Sequence, residues 1–285
     1  MEVKNNEIIT NSYLTNGKIL SFDSPKVMAI VNLTPNSFYD GNKYESTADV
    51  LKDIEVKLEQ GADIIDIGAA STKPGEKLIH PDEEWMRLEK SLTAIRKEHP
   101  NQLLSIDTYN SQTALKAANC GIDIINDVSG GNFDAAMFSV VVKLNLAYVL
   151  MHIKGQPENM QLHPTYHYVV EDVYTHLEQK VNALNKLHFN KIILDVGFGF
   201  GKSLDDNYRL LKELSRFSVL GFPILAGLSR KSMINKVIGT NPVTSLNGTT
   251  VLNTLALQNG AKFLRVHDVM EAKQTIQLFL KYQSV

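Results

Sequence analysis

Apolar and polar positions along the chain follow a repeating rhythm. Short apolar runs closing on a polar residue alternate with longer stretches whose apolar residues recur at helical spacing. The runs are AIVN, DIIDIG, LLSIDT, IDIIND, LAYVLMH, KIILDVG, FPILAGLSR and FLRVHD, carrying Asn32, Asp66, Asp107, Asn126, His152, Asp195, Ser229 and Arg265 at their ends. Near-continuous apolar runs separated by helices read as parallel strands buried on both faces. Eight of them predict a closed (β/α)8 barrel, the TIM fold, whose functional groups gather at the C-terminal ends of its strands.

The spacing predicts strands over 26–31, 63–67, 102–106, 122–126, 146–150, 191–195, 222–226 and 262–266. Helices are expected over 47–60, 81–98, 110–119, 133–143, 167–187 and 204–215, then near 230–238, 243–259 and 268–282. Pro81 opens the second helix, and Asp82, Glu83 and Glu84 suit its positive N-terminal end. Trp85 in the same helix is expected to pack on the core. Residues 7–22 alternate weakly about Asn16-Gly17, a two-residue hairpin signal. A hairpin extension over 1–25 should cover the bottom of a single barrel domain spanning 1–285. The connections NLTPNSFYDGNKYES, GAASTKPGEKLIH and HIKGQPENMQLHPTYH exceed what a barrel needs, which marks them as functional or disordered.

Composition narrows the partners. Hydrophobic residues at 44% and charged residues at 21% are an ordinary balance for a large core, and the net charge is -2. No basic stripe points to nucleic acid, so an anionic ligand must be met by local charge. The lone Cys120 excludes an intramolecular disulfide and is expected as a small buried residue at a helix end. The polar start MEVKNNEIITNSYL lacks the apolar stretch of a signal peptide, and a cytoplasmic location is the default expectation.

GFGFGKS resembles a phosphate loop, but Val196 stands where a P-loop needs glycine, and Lys202 where G-x-G-x-x-G needs one. Its glycines are expected to bring backbone close to a flat ligand, with a tight turn alone as the alternative. Asp66, Asp107 and Asp195 lie within apolar runs, and buried acids need partners. With Asn126 they form a set of acceptors suited to the N–H and NH2 edge of an aminopyrimidine, rejecting analogues that leave them unpaired. Lys231, Arg265 and His267 follow the last two strands, where phosphate sites are frequent in barrels. Arg230 is expected at the surface, His152 in a structural hydrogen bond, and Asn32 as an oxygen available to Mg2+.

Read together, NLTPNSFYDG, DIIDIGAASTKPG, SIDTYN, INDVSGG, LMHIKGQPENMQ, LDVGFGFGK, GLSRKSMI and RVHDV resemble the dihydropteroate synthase family of the folate pathway, the target of sulfonamides. The resemblance runs from Val27 to Val269, with the motifs in the family's order. It implies a transferase joining para-aminobenzoate to 6-hydroxymethyl-7,8-dihydropterin diphosphate, with Mg2+ as cofactor and a homodimeric state. Asp107, Asn126, Asp195 and Lys231 would then hold the pterin, with Met151 and Gly227 nearby, and Lys231, Arg265, Asp107 and Asp195 would carry catalysis. Asn32, Arg265 and His267 would bind diphosphate and its Mg2+. Thr72, Lys73, Pro74, Phe200 and Ser229 would shape the aminobenzoate site, with Lys231 shared, Phe38 and Pro74 on mobile loops, and Asp66 as an anchor.

The chain departs from the family's pattern at Asn36 (commonly aspartate), Ala70 (glutamate), Lys73 (arginine) and Val196 (proline). Lysine at 73 keeps the charge but loses the two-pronged guanidinium contact. A corrinoid-dependent methyltransferase would share Asp107, Asn126 and Asp195 but leaves the long first loop and RVHD without a role. A non-catalytic pterin-binding homologue finds its support in Lys73.

Overall fold

The computed structural model describes residues 11–34, 44–162 and 164–285. Two strands, β1 (Ser12–Thr15) and β2 (Lys18–Ser21), pair antiparallel with Thr15 opposite Lys18. Asn16 and Gly17 between them take φ of 46° and 74°, the left-handed pair that a two-residue hairpin turn requires. Eight strands follow: β3 (Lys26–Asn32), β4 (Ile64–Gly68), β5 (Leu103–Asp107), β6 (Ile124–Asp127), β7 (Ala147–Met151), β8 (Ile192–Asp195), β9 (Ile224–Ala226) and β10 (Ala261–Val266). Each pairs in parallel with the next, and β10 closes the barrel on β3.

Outside the strands lie α1 (Thr47–Glu59), α2 (Pro81–Glu98), α3 (Ser111–Asn119), α4 (Met137–Leu144), α5 (Val169–Lys186) and α6 (Leu204–Lys212). They are followed by α7 (Ser232–Ile238), α8 (Leu246–Gln258) and α9 (Val269–Gln283). Among these helices, α1 and α6 open on capping boxes, Ser46 with Asp49 and Ser203 with Asp206, each satisfying two otherwise unpaired amides. Trp85 is half-buried and packs on the core as expected.

The two-residue period of the strands sorts their side chains into two sets. Val27, Ile65, Leu104, Ile125, Tyr148, Ile192, Ala226 and Leu264 point outward into the layer shared with the helices. The alternate positions Met28, Ile64, Ile124, Val149, Ile193, Leu225 and Phe263 point inward and form an apolar plug, with Leu103 packed against it. Leu20 and Phe22 from the hairpin join that plug from below, so the hairpin does cover the bottom. Polar contacts clasp it there: Asn16 Nδ2 donates to Gly121 O at 3.1 Å, and Lys18 meets the buried Asp123 at 3.1 Å. Two positions further along each strand, the same inward parity brings up Asp66, Ser105, Asn126, Asp195, Gly227 and Arg265.

Some expected boundaries move. The helix expected over 133–143 begins at Met137, because Asp134 accepts the Ala136 amide on its side chain and the Met137 amide on its carbonyl, folding that stretch into a turn. The helix expected over 204–215 ends at Lys212 and continues as a 3-10 turn, Leu214–Leu220. Cys120 sits at the C-cap of α3, half-buried rather than fully enclosed.

Candidate active site

Above the plug, β4, β5, β6 and β10 meet through one guanidinium. Arg265 Nε donates to Asp66 Oδ2 at 2.6 Å and its Nη2 to Asp107 Oδ2 at 2.5 Å. Asn126 Nδ2 donates to the same Asp66 oxygen at 3.0 Å. Glycine at 68 leaves room for this, since a Cβ there would lie 3.2 Å from Asp107 Cβ. The segment after Asp107 is pinned from outside by Glu84, which accepts from Thr108 Oγ1 at 2.8 Å, Asn110 Nδ2 at 2.8 Å and Thr113 Oγ1 at 2.7 Å. Glu84, expected only as an acid suited to a helix start, is therefore a fully buried anchor.

Across the barrel mouth, Asp195 Oδ1 accepts the Gly197 amide at 2.7 Å. Lys231 donates to Phe198 O, and its Nζ lies 4.7 Å from the centre of the Phe200 ring, within cation–π range. Ser229 Oγ and His267 Nδ1 are 3.0 Å apart, and Ser229 Oγ also accepts the His267 amide at 3.2 Å.

Removal from water sets the proton affinities of this ring of charges. Burial pushes Asp107 up to about 7; the Arg265 charge opposes this, and the Asp66 charge adds to it. Burial raises Asp195 as well, against Lys231 and the Gly197 amide. Burial pushes Lys231 down to about 8, with Asp195 pulling the other way. In Arg265, burial works against the charge, but Asp66 and Asp107 overcome it and hold the guanidinium protonated.

Asp107, Lys231 and Arg265 of this ring border a cavity of about 380 Å³ at the C-terminal end of the barrel. Asn32, Asp107, Gly227, Ser229, Lys231, Arg265 and His267 line it from the strand ends, with Thr72, Lys73 and Pro74 from the loop after β4 and Phe200 from the loop after β8. That volume suits a small molecule with mostly apolar walls and a few placed polar groups.

Residues 28–267 match the family described as pterin binding enzyme. The chain belongs to the pterin-binding enzyme family. It is 39% identical over 266 residues to the dihydropteroate synthase of Haemophilus influenzae, covering 93% of this chain and 96% of that one. Its fold matches the Yersinia pestis dihydropteroate synthase solved with a sulfonamide drug, with a TM-score of 0.91, 32% identity, and 96% and 99% of the two chains covered. The Xanthomonas albilineans dihydropteroate synthase in complex with 7,8-dihydropteroate gives a TM-score of 0.84 at 31% identity, covering 96% and 99%.

In this pterin-binding enzyme the expected residues divide by depth. Asn126, Met151 and Asp195 stand on β6, β7 and β8, are 3%, 3% and 6% exposed, and are not among the residues that line the cavity. Asn36 and Phe38 fall outside the described residues. Arg230 corrects the expectation of a surface residue. It is buried, donates to Asp268 through Nε at 2.9 Å and Nη2 at 2.6 Å, and reaches Val243 O at 2.8 Å. With φ of 56° it forms the left-handed step that turns the chain between Ser229 and Lys231.

Two glycines of GFGFGK let backbone approach backbone. A Cβ on Gly197 would sit 1.9 Å from His152 O, and one on Gly201 would sit 2.3 Å from Lys154 O. The close approach these two permit is to the protein's own loop after β7, while Gly199 lines the cavity. Met160, Gln161, Phe198 and Ser232 line the cavity without having been singled out. Met160 and Gln161 stood within a quoted motif, but nothing in their spacing says that Gln161 Nε2 will fold back to Gly199 O at 2.6 Å.

Proposed function

We propose that the protein is a dihydropteroate synthase, joining para-aminobenzoate to 6-hydroxymethyl-7,8-dihydropterin diphosphate with release of diphosphate. The observation that carries this reading is Arg265 held between Asp66 and Asp107, in one cavity with Lys231, Ser229 and His267. Asp107, Asn126 and Asp195 supply acceptors for the donors along a pterin edge, bounded by Met151 and Gly227. Lys231 and Arg265 bring positive charge to the mouth. Asn32, Arg265 and His267 take the diphosphate, and Thr72, Lys73, Pro74, Phe200 and Ser229 face the aminobenzoate.

The reaction breaks the C–O bond at the pterin methylene, and the electron pair leaves with diphosphate. The electron-rich dihydropterin spreads the positive charge that develops on that carbon. Arg265 and Lys231 favour this step by meeting the negative charge of the leaving group with fixed positive charge in a partly dry site. The arylamine lone pair then forms the C–N bond, and the nitrogen releases its proton. A neutral arylamine needs no strong base. The loop after β4, which brings Thr72, Lys73 and Pro74 to the cavity, would exclude water from the cationic centre.

Mg2+ fits this site in one way. Asn32 Oδ1 accepts the Thr34 amide at 3.0 Å, which leaves an oxygen lone pair for a cation. Among the described residues no group of three or more His, Cys, Asp or Glu is placed to hold a metal. This donor set suits Mg2+ held mainly by diphosphate and water, with Asn32 giving a protein oxygen. Bound so, the ion would offset charge on the leaving group. The same reading expects a cytoplasmic homodimer; among the described residues no helix is long and apolar enough to cross a membrane.

Incubation of the purified protein with both substrates and Mg2+ should yield dihydropteroate and diphosphate. Pterin binding without product would overturn the synthase in favour of a binding protein. Positional isotope exchange in the pterin diphosphate without aminobenzoate should occur if C–O cleavage comes first.

A further inference from the structure

Lys202 and His152 take no part in the reaction above, yet they form a buried polar cluster beside it. Lys202 is 3% exposed and His152 is 5% exposed. Lys202 Nζ donates to Gly197 O at 2.8 Å, Phe200 O at 3.0 Å and His152 O at 3.3 Å, and shares a hydrogen bond with His152 Nδ1 at 3.0 Å. Its partners thus come from the turn after β8 and from the residue following β7. A lysine ammonium has three donors, so it can serve the three carbonyls together, and Gly197 O also accepts the Phe200 amide at 3.1 Å.

Within the turn that one backbone bond, from the Phe200 amide to Gly197 O, holds the shape. Gly197, Gly199 and Gly201 all have positive φ, at 70°, 83° and 61°, and glycine has the most conformational freedom to lose. Three further contacts brace its far end: Asn207 Oδ1 accepts the Gly199 amide at 2.6 Å, Gln161 Nε2 donates to Gly199 O at 2.6 Å, and Tyr166 OH donates to Gly201 O at 2.7 Å. Toward the cavity, the same turn presents Phe198 O to Lys231 and lays the Phe200 ring beneath its Nζ.

We propose that Lys202 is a positioning residue for the aminobenzoate side of the site: by gathering the carbonyls of Gly197, Phe200 and His152 it fixes the glycine turn so that Phe198 and Phe200 hold Lys231 over the cavity. The ligand's identity rests on the synthase reading; the geometry does not. Lys202→Met removes the donors while keeping an apolar stem. Its expected effect is a rise of ~10-fold or more in KM for aminobenzoate, since small misplacements of positioning groups are costly. Lys231 also serves the pterin and its leaving group, so the affinity for the pterin diphosphate should fall too, but less, because Asp107 and Asn126 stand on strands. A merely structural role would lower the fraction of active enzyme, so kcat would fall and KM would stay.

Two readings guard the test. 4-Fluorophenylalanine placed at position 200 should show a displaced or broadened 19F resonance in the Lys202→Met protein, with or without turnover. Lys202→Cys in a Cys120→Ser background, alkylated with 2-bromoethylamine while unfolded and then refolded, restores a side chain of lysine's length and donors, and should recover both KM and resonance. Should the methionine variant not fold, Lys202→Arg carries the same readings, because a planar guanidinium cannot gather the three carbonyls in the same way. An unchanged KM together with an unchanged resonance overturns the proposal, as does failure of the lysine analogue to restore them. If the wild-type chain makes no dihydropteroate, the synthase reading fails while the fluorine resonance still decides the role of Lys202.

Discussion

Arg265 meets two carboxylates with one positive charge, so the trio it forms with Asp66 and Asp107 is net negative when all three are ionised. Burial above all, with the Asp66 charge adding to it against Arg265, keeps the Asp107 proton up to about 7, against an ordinary 3.8. A group whose proton is held more tightly in the fold lends stability that is whole below its unfolded value and is lost as pH rises through the folded one. Stability from Asp107 should therefore be full below about 4 and fade toward about 7. Denaturation of the Asp107→Asn protein should lack that slope, and an identical slope in both proteins would rule it out. A pterin donating N–H groups to the ionised carboxylate should bind better as pH rises through about 7, releasing a proton. Calorimetry in two buffers of different ionisation enthalpy reads that proton, and equal heats would contradict it. Asp107, Asn126 and Asp195 were legible in the sequence because a polar residue inside an apolar run stands out. Arg230 and Lys202 were not, since a cation in a loop reads as solvated, and its burial depends on distant carbonyls such as His152 O, 50 residues away from Lys202.

At the scale of elements, the turn between β8 and α6 is set by what a side chain would strike. Gly197→Ala places a methyl group against His152 O in a left-handed step. The backbone alone costs about 1–2 kcal/mol there, before the clash is counted. Gly221→Ala is the control: its φ is 82°, but a Cβ there meets nothing within 4 Å, so it should cost only the backbone term of about 1–2 kcal/mol. Urea unfolding of the two variants should separate them clearly, and equal losses would mean that the loop after β7 yields freely. Strand number, strand order and the bottom hairpin were readable because periodicity and Asn16-Gly17 are local signals. The start of α4 and the break after α6 were not, because the turns that displace them depend on Asp134, tied to the Ser111 amide, and on packing around Phe217 rather than on spacing.

For the whole molecule, the plug divides the barrel into a stabilising bottom and a chemical top. Phe22 is buried against Tyr13 and Phe263, with ring centres 5.0 Å and 6.2 Å away. Phe22→Ala should cost about 3–5 kcal/mol of stability, as truncations of large core side chains do. KM for either substrate should hold within about twofold, because the plug lies between this residue and the cavity. A marked change in KM with intact stability would mean that the two ends communicate.

Arg265 reaches back 199 residues to Asp66 and 158 to Asp107. Synthesis runs from the N-terminus, so both acids leave the ribosome long before their cation exists. Until β10 arrives, β3 also presents an open edge. The last strand thus seals the hydrogen-bonded wall and delivers the counter-charge in one event, and a chain cut short before residue 261 lacks both.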